Sequence, residues 1–295
     1  MTISFNGLGN EGRLGNQLFQ YAFIRGMAEK HNVGWVIPGP DEPRFDNYGL
    51  FDCFEMTGCK HTGETNHPTL ECRDTLFRPE LFDEPRDNIN FSGIYQTEKY
   101  FEHVRDELRK DLTFTKNYLE PCKEFIDSLG GRKNCIFLHV RRGNPNITGR
   151  RGEKWSYQML QEFHPLCKPE YYKEALKIFP KNKQVIVVSD LIEWCKTQDW
   201  LDDDRFHFSD SSLELFADGA SVPYVDLCLM SLCGGAIIAN SSLSWWGAWL
   251  QGDTGKVVAP TPWYGSANAH LDTSDLIPDR WIKMYNDPTP IEPVS

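Results

Sequence analysis

The chain has 295 residues, 40% of them apolar, and carries 31 Lys and Arg against 42 Asp and Glu for a formal net charge of −11. That much apolar material supports one or two well-buried cores. The acidic balance excludes nucleic acid and anionic membrane surfaces as main partners, because binding to a phosphate backbone needs a broad basic face.

Thr2 to Phe5 reads as a strand and leads into Gly7-Leu8-Gly9-Asn10-Glu11-Gly12, a literal G-x-G-x-x-G before a helix. Such a loop raises a dinucleotide-binding oxidoreductase. Against it, Arg13, Asn16 and Gln17 crowd the first helical turn, and Asp41 and Glu42 come late, behind a Pro-Gly-Pro break. A loop whose amides, Arg13 guanidinium and Asn16 amide face a charged leaving group fits better. Leu14, Leu18 and Ala22, with Phe19, Phe23 and Met27, then recur at helical spacing and predict a wide buried face.

Val33 to Ile37 is the next strand, and from Pro38 to about Phe91 the loss of periodicity predicts long loops. Cys53, Cys59, His61, His67 and Cys72 fall here without a C-x₂-C pair, so no zinc site is expected. Nine cysteines in all, with no repeated spacing and no basic-then-apolar segment at the N-terminus, point to reduced thiols and a cytoplasmic setting. Tyr100, Phe101, Val104, Leu108 and Leu112 mark an amphipathic helix, and Gly130-Gly131 closes a first domain of residues 1–130.

The second domain, 131–295, alternates strands at Cys135–Val140, Gln184–Ser189, Gly235–Ala239 and Lys256–Ala259 with helices at Pro169–Ile178, Leu191–Lys196, Val225–Cys233 and Ser244–Leu250. Alternation of this kind predicts an α/β fold with a parallel sheet and a ligand at the carboxyl ends of its strands. His139, Asp190 and Asn240-Ser241-Ser242 fall at such ends. Leu227 to Leu250 is 24 residues without a formal charge, but Gly234-Gly235 and the Asn-Ser-Ser turn break it, so a central strand and its flanking helices explain it without a transmembrane segment.

Ile136 to Asn144 carries a histidine and two arginines off an apolar strand, and Arg150, Arg151 and Lys154 follow closely. A solvated basic loop is the plain alternative. An anion site is favoured because arginine's planar fork suits diphosphate oxygens. Ser241 and Ser242 start a helix, where free amides and the dipole favour phosphate; an ordinary serine cap is the competing explanation. Asp202-Asp203-Asp204 lies in a polar turn rather than behind an apolar strand, and reads as solvated acid rather than a metal site.

Gly12-Arg13-Leu14-Gly15-Asn16-Gln17-Leu18-Phe19-Gln20-Tyr21-Ala22, Gly93-Ile94-Tyr95-Gln96-Thr97-Glu98-Lys99-Tyr100-Phe101, His139-Val140-Arg141-Arg142-Gly143, Ser189-Asp190 with Glu193-Trp194-Cys195-Lys196, and Ile238-Ala239-Asn240-Ser241-Ser242 running into Ser244-Trp245-Trp246-Gly247-Ala248-Trp249-Leu250 resemble the ordered motifs of glycosyltransferase family eleven, the α-1,2-fucosyltransferases. The resemblance implies a GT-B-like α/β protein with two Rossmann-like domains whose parallel sheets face a cleft, the first domain serving the acceptor and the second the GDP-sugar. It implies inverting transfer of L-fucose from GDP-fucose, without metal or other cofactor, to an oligosaccharide or glycan hydroxyl such as the 2-OH of a galactoside.

By the same resemblance Arg141 holds the β-phosphate, His139 lies by the guanosine, Asp226 reads guanine, and Ser241 and Ser242 bind the phosphates. Arg13 and Asn16 face the phosphate and reaction centre. Gly15, Arg142, Asp190 and Asn240 complete the expected donor site. Asn144, Leu191, Gly235 and Leu243 depart from residues common in the family, which touches acceptor preference more than donor binding. Glu11 and Glu153 neighbour motifs, yet neither stands out as a general base. Transfer of another GDP-6-deoxysugar, another linkage, or a non-catalytic sugar- or nucleotide-binding role remain the alternatives.

Overall fold

The computed structural model describes residues 1–10, 12–42, 49–72, 75–84, 87–142, 161–209, 222–253 and 255–291. Glu11, Gly143, Asn144, Arg150, Arg151, Glu153 and Lys154 lie outside the described residues. The chain forms two compact units, Met1–Lys116 with Asp272–Pro278, and Asn117–Leu271 with Asp279–Ser295.

In the first unit, β1 (Thr2–Ser4), α1 (Leu14–His31), β2 (Gly34–Val36), α2 (Leu50–Cys53), β3 (Thr69–Cys72), α3 (Pro79–Asp83), β4 (Asn90–Gly93) and α4 (Arg105–Asp111) follow in order. The strands form a sheet ordered β2-β1-β4-β3 with every pairing parallel. Helix α1 buries Leu18, Phe19, Ala22, Phe23 and Met27, as the periodicity predicts. It ends at Asn32 in the left-handed region (φ 50°), with Val33 N–H donating back to Ala28 O at 3.0 Å and Lys30 and His31 in the last turn favouring the dipole. Gly26 is required on α1, since a Cβ there would lie 2.2 Å from Tyr100 O.

The expected long loops between Pro38 and Phe91 contain α2, β3, α3 and the first residues of β4. Strand β4, Asn-Phe-Ser-Gly, has no apolar run to reveal it, yet it is an inner strand. Its burial comes from α1, where Phe23 meets Phe91 edge-on at 5.1 Å. Gly93 (φ 152°) admits the close approach of β3, because a Cβ would lie 1.9 Å from Cys72 O. The expected helix from Tyr100 to Leu112 is two short 3₁₀ turns, Glu98–Tyr100 and Glu102–Val104, before α4.

In the second unit, α5 (Lys116–Ser128), β5 (Cys135–Val140), α6 (Pro169–Leu176), β6 (Gln184–Ser189), α7 (Ile192–Lys196), β7 (Phe206–Phe208), α8 (Val222–Leu232), β8 (Ala236–Ile237), α9 (Ser242–Leu250), β9 (Val257–Thr261) and β10 (Ile282–Tyr285) build a parallel sheet ordered β10-β9-β8-β5-β6-β7. Two differences from the sequence boundaries have a physical origin. Nearly all of α5 belongs to this unit, where Cys135 Sγ meets Ile126 O and the Tyr118 ring packs edge-on against Tyr224 at 5.7 Å. Residues 272–278 belong to the first unit, where Thr75 Oγ1 donates to Asp272 O and Lys99 pairs with Asp275, both at 2.5 Å.

The uncharged stretch from Leu227 resolves into the end of α8, the two-residue β8 and α9. No helix among the described residues is long and apolar enough to cross a membrane. Helices α8 and α9 pack closely because Gly247 faces Met230, where a Cβ would sit 2.7 Å from Met230 Cβ. Trp245, Trp246 and Trp249 fill the space around it and are buried. All nine cysteines are free thiols.

Candidate donor site

Strand order reverses in the second sheet between β5 and β8: β6 and β7 continue on one side and β9 and β10 on the other. A reversal opens a crevice beyond the carboxyl ends of the two strands, where doubly wound folds take their ligands. Strand β5 runs directly into Arg141-Arg142, and β8 runs through Ile238-Ala239 into Asn240-Ser241.

The structure brings Arg141 and Asn240 together there, the Arg141 Nη1 donating to Asn240 O at 3.2 Å. The two adjacent arginines part ways. Arg142 is buried with its guanidinium 4.1 Å from the Trp194 ring centroid, a cation–π stack, while Arg141 is only half-buried. Asp190, at the end of β6, accepts the Arg142 backbone N–H at 2.8 Å and ties the ends of β5 and β6 together.

Asn240 is almost wholly buried, and its side chain is committed to the protein. Its Nδ2 donates to Pro165 O at 2.6 Å and Trp263 O at 3.2 Å, so this amide fastens two loops to the end of β8. Ser241 is extended (φ −141°, ψ 127°) and makes no side-chain capping bond, although Trp245 N–H reaches its carbonyl at 3.0 Å. The opening turn of α9 is thus uncapped by Ser241. Ser242, first in the helix, is half-buried.

His139 is buried, and among the described residues its Nδ1 has no hydrogen-bond partner. Burial, reinforced by Arg141 and opposed by Asp190, lowers its pKa to about 4, so the ring is neutral at pH 7. Asp226, on α8, accepts from Ser209 Oγ at 2.6 Å. Burial raises its pKa to about 7, against the opposing effect of that hydrogen bond. Sequence reasoning passes over Ser209, which meets Asp226 only once the chain has folded, and it quotes Trp194 within a motif without its role as the partner of Arg142.

The remaining candidates belong to the first unit. Arg13 is exposed at the start of α1, while Gly15 is buried in its first turn. Asn16 Oδ1 accepts from Gln96 Nε2 at 2.9 Å, linking two of the sequence motifs. Gly12 (φ 91°) leaves room for Asn16, whose Nδ2 lies 2.4 Å from where a Cβ would be.

Asp202, Asp203 and Asp204 are exposed and precede β7, so they lie toward the amino end of a parallel sheet whose candidate site is at the carboxyl end. Asp203 Oδ1 accepts from Arg205 N. Among the described residues no group of three or more His, Cys, Asp or Glu could hold a metal ion.

Two α/β units, each built on a parallel sheet, match the GT-B fold, and solved structures agree. Fucosyltransferase NodZ from Bradyrhizobium superposes with a TM-score of 0.53 at 13% identity, over 83% of this chain and 91% of that one. A NodZ α-1,6-fucosyltransferase structure soaked with GDP-fucose gives 0.51 at 12% identity, over 84% and 92%. The chain belongs to Glycosyl transferase family 11, whose model matches residues 79–284. It is 29% identical to an alpha-1,2-colitosyltransferase of Escherichia coli over 92% of this chain and 96% of that protein. It is 23% identical to human galactoside alpha-(1,2)-fucosyltransferase 1 over 82% of this chain and 64% of that one.

Proposed function

We propose that this glycosyltransferase moves L-fucose from GDP-fucose to the 2-OH of a galactoside with inversion at the anomeric carbon. The observation that carries the reading is the meeting of Arg141 with the Asn240-Ser241-Ser242 turn at the switch point of the second sheet. Departure of GDP leaves negative charge on the β-phosphate, and a fixed guanidinium with uncapped helix amides stabilises charge that grows in the transition state. In this reading Arg141, Ser241 and Ser242 hold the diphosphate. Asp226 accepts from guanine, and neutral His139 lies by the guanosine. Asp190 and Arg142 brace the ends of β5 and β6, and Asn240 braces the loops around Arg141. Arg13, Gly15 and Asn16 keep the part the family resemblance implies, at the phosphate and reaction centre. The units take the division of labour expected from the sequence, acceptor on the first and GDP-sugar on the second, and the reaction runs without a divalent metal in the cytoplasm.

The relatives' names share an α-1,2 linkage, which supports the proposed bond. They differ in the sugar, and the colitosyltransferase matches over nearly its whole length. Transfer of that related sugar is therefore the second reading, since contacts to guanine and diphosphate do not read the sugar. A donor and acceptor screen with linkage analysis of the product decides between them. A product linked elsewhere than O2, or the absence of transfer from any GDP-sugar, would overturn the proposal.

A further inference from the structure

Gln161–Lys168 passes beside the end of β8 and is held along its length. Asn240 grips it at Pro165 O, and Gly265 N–H donates to Phe163 O at 3.1 Å. From the C-terminal side, Asn286 donates to Leu166 O at 3.2 Å and accepts from Lys168 N at 2.9 Å, while Gln161 and Ile291 exchange bonds of 2.9 and 2.8 Å. A segment fixed on both flanks leaves its middle residue little freedom.

That residue is His164. Its ring lies 5.7 Å from the Tyr264 ring, and the next residue, Pro165, is clipped to the same Asn240 whose carbonyl receives Arg141. His164 Nδ1 is enclosed and has no hydrogen-bond partner among the described residues. A buried polar atom left so is costly, and a ligand is one way to satisfy it. Burial and the Arg141 charge push the imidazole down to about 3, so it is neutral and carries one N–H. Arginine supplies only donors, so the atoms it gathers are acceptors, which suits a neighbouring N–H.

We propose that His164 is a further donor-contact residue, its Nδ1–H donating to an oxygen of the GDP diphosphate that Arg141 holds. This rests on the GDP-sugar reading above.

The test uses the full chain, His164→Phe and His164→Asn, with melting measured with and without GDP and the GDP Kd measured by calorimetry. His164→Phe keeps an aromatic face for Tyr264 and removes the nitrogen. His164→Asn returns an amide nitrogen near the Nδ1 position. Without GDP, His164→Phe should melt at or above the wild-type temperature, because an unsatisfied nitrogen has gone. Its GDP Kd should rise about 10- to 100-fold, the usual worth of a hydrogen bond to a charged group, and His164→Asn should recover most of that loss. His164→Phe binding GDP as tightly as wild type would overturn the inference, as would His164→Asn binding no better than His164→Phe. A wild-type protein that GDP neither binds nor stabilises would overturn the donor reading and this inference with it.

Discussion

Replacing Asp226 with Asn separates stability from nucleotide choice at one atom pair. The buried carboxyl has a folded pKa of about 7 against an ordinary 3.8. For an acid the sign is that folding disfavours the charged form. As pH rises from about 4, the unfolded chain ionises while the folded one does not, so stability falls until about pH 7 and is level above. The full penalty corresponds to about 4 kcal/mol at 1.36 kcal/mol per pKa unit. Asp226→Asn keeps an acceptor for Ser209 Oγ and removes the charge, so it should be the more stable protein at pH 8, by up to that amount. The advantage should shrink steadily toward pH 4. The cost falls on binding, because an amide presents a donor where guanine also presents donors. GDP affinity should drop about 10- to 100-fold, as expected for losing a charge-assisted hydrogen bond, with a much smaller change for UDP. Urea denaturation at pH 4, 6 and 8 and calorimetric titration with both nucleotides supply the readings. An Asn variant that is less stable than wild type at pH 8 would refute the penalty assigned to the buried carboxylate. Equal losses of GDP and UDP would remove Asp226 from base recognition.

Arg141→Lys should lose about 10²–10³ in kcat, roughly 3–4 kcal/mol, since a point charge cannot replace the planar fork. Because Arg141 is only half-buried, the melting temperature of the Lys variant should move by only about 2–4 °C; turnover within about threefold of wild type would return the basic segment to a solvated loop. Transfer should continue in EDTA, because the acidic run before β7 lies toward the opposite end of the sheet from Arg141. Activity that vanished in EDTA and returned with Mn²⁺ would revive Asp202 to Asp204. Gly12→Ala places a methyl where Asn16 now lies and forces a non-glycine residue to φ 91°, so it should cost about 1–3 kcal/mol and reduce kcat by displacing Asn16; a variant with wild-type kinetics would show that Asn16 has no place in the reaction.

The sequence by itself determined the elements whose apolar pattern is local. Helix α1 declares its buried face through Leu14, Leu18 and Ala22, and β5 and β6 are apolar runs that can only be inner parallel strands. It also pointed to the carboxyl ends of β5, β6 and β8, with Arg141, Asp190 and Asn240, as the expected donor site. Tertiary structure alone decided what each residue meets there. Strand β4 has no apolar signature because its burial is supplied by Phe23 on a distant helix. Arg142 turns onto Trp194 while its neighbour Arg141 reaches Asn240 O, a choice made by residues some fifty and a hundred positions away. The Asn240 side chain looks from sequence like a ligand contact, yet it is occupied by Pro165 O and Trp263 O. Periodicity records which face of an element is buried; which partner a polar group meets depends on chain segments that approach only when both sheet edges and their loops have packed.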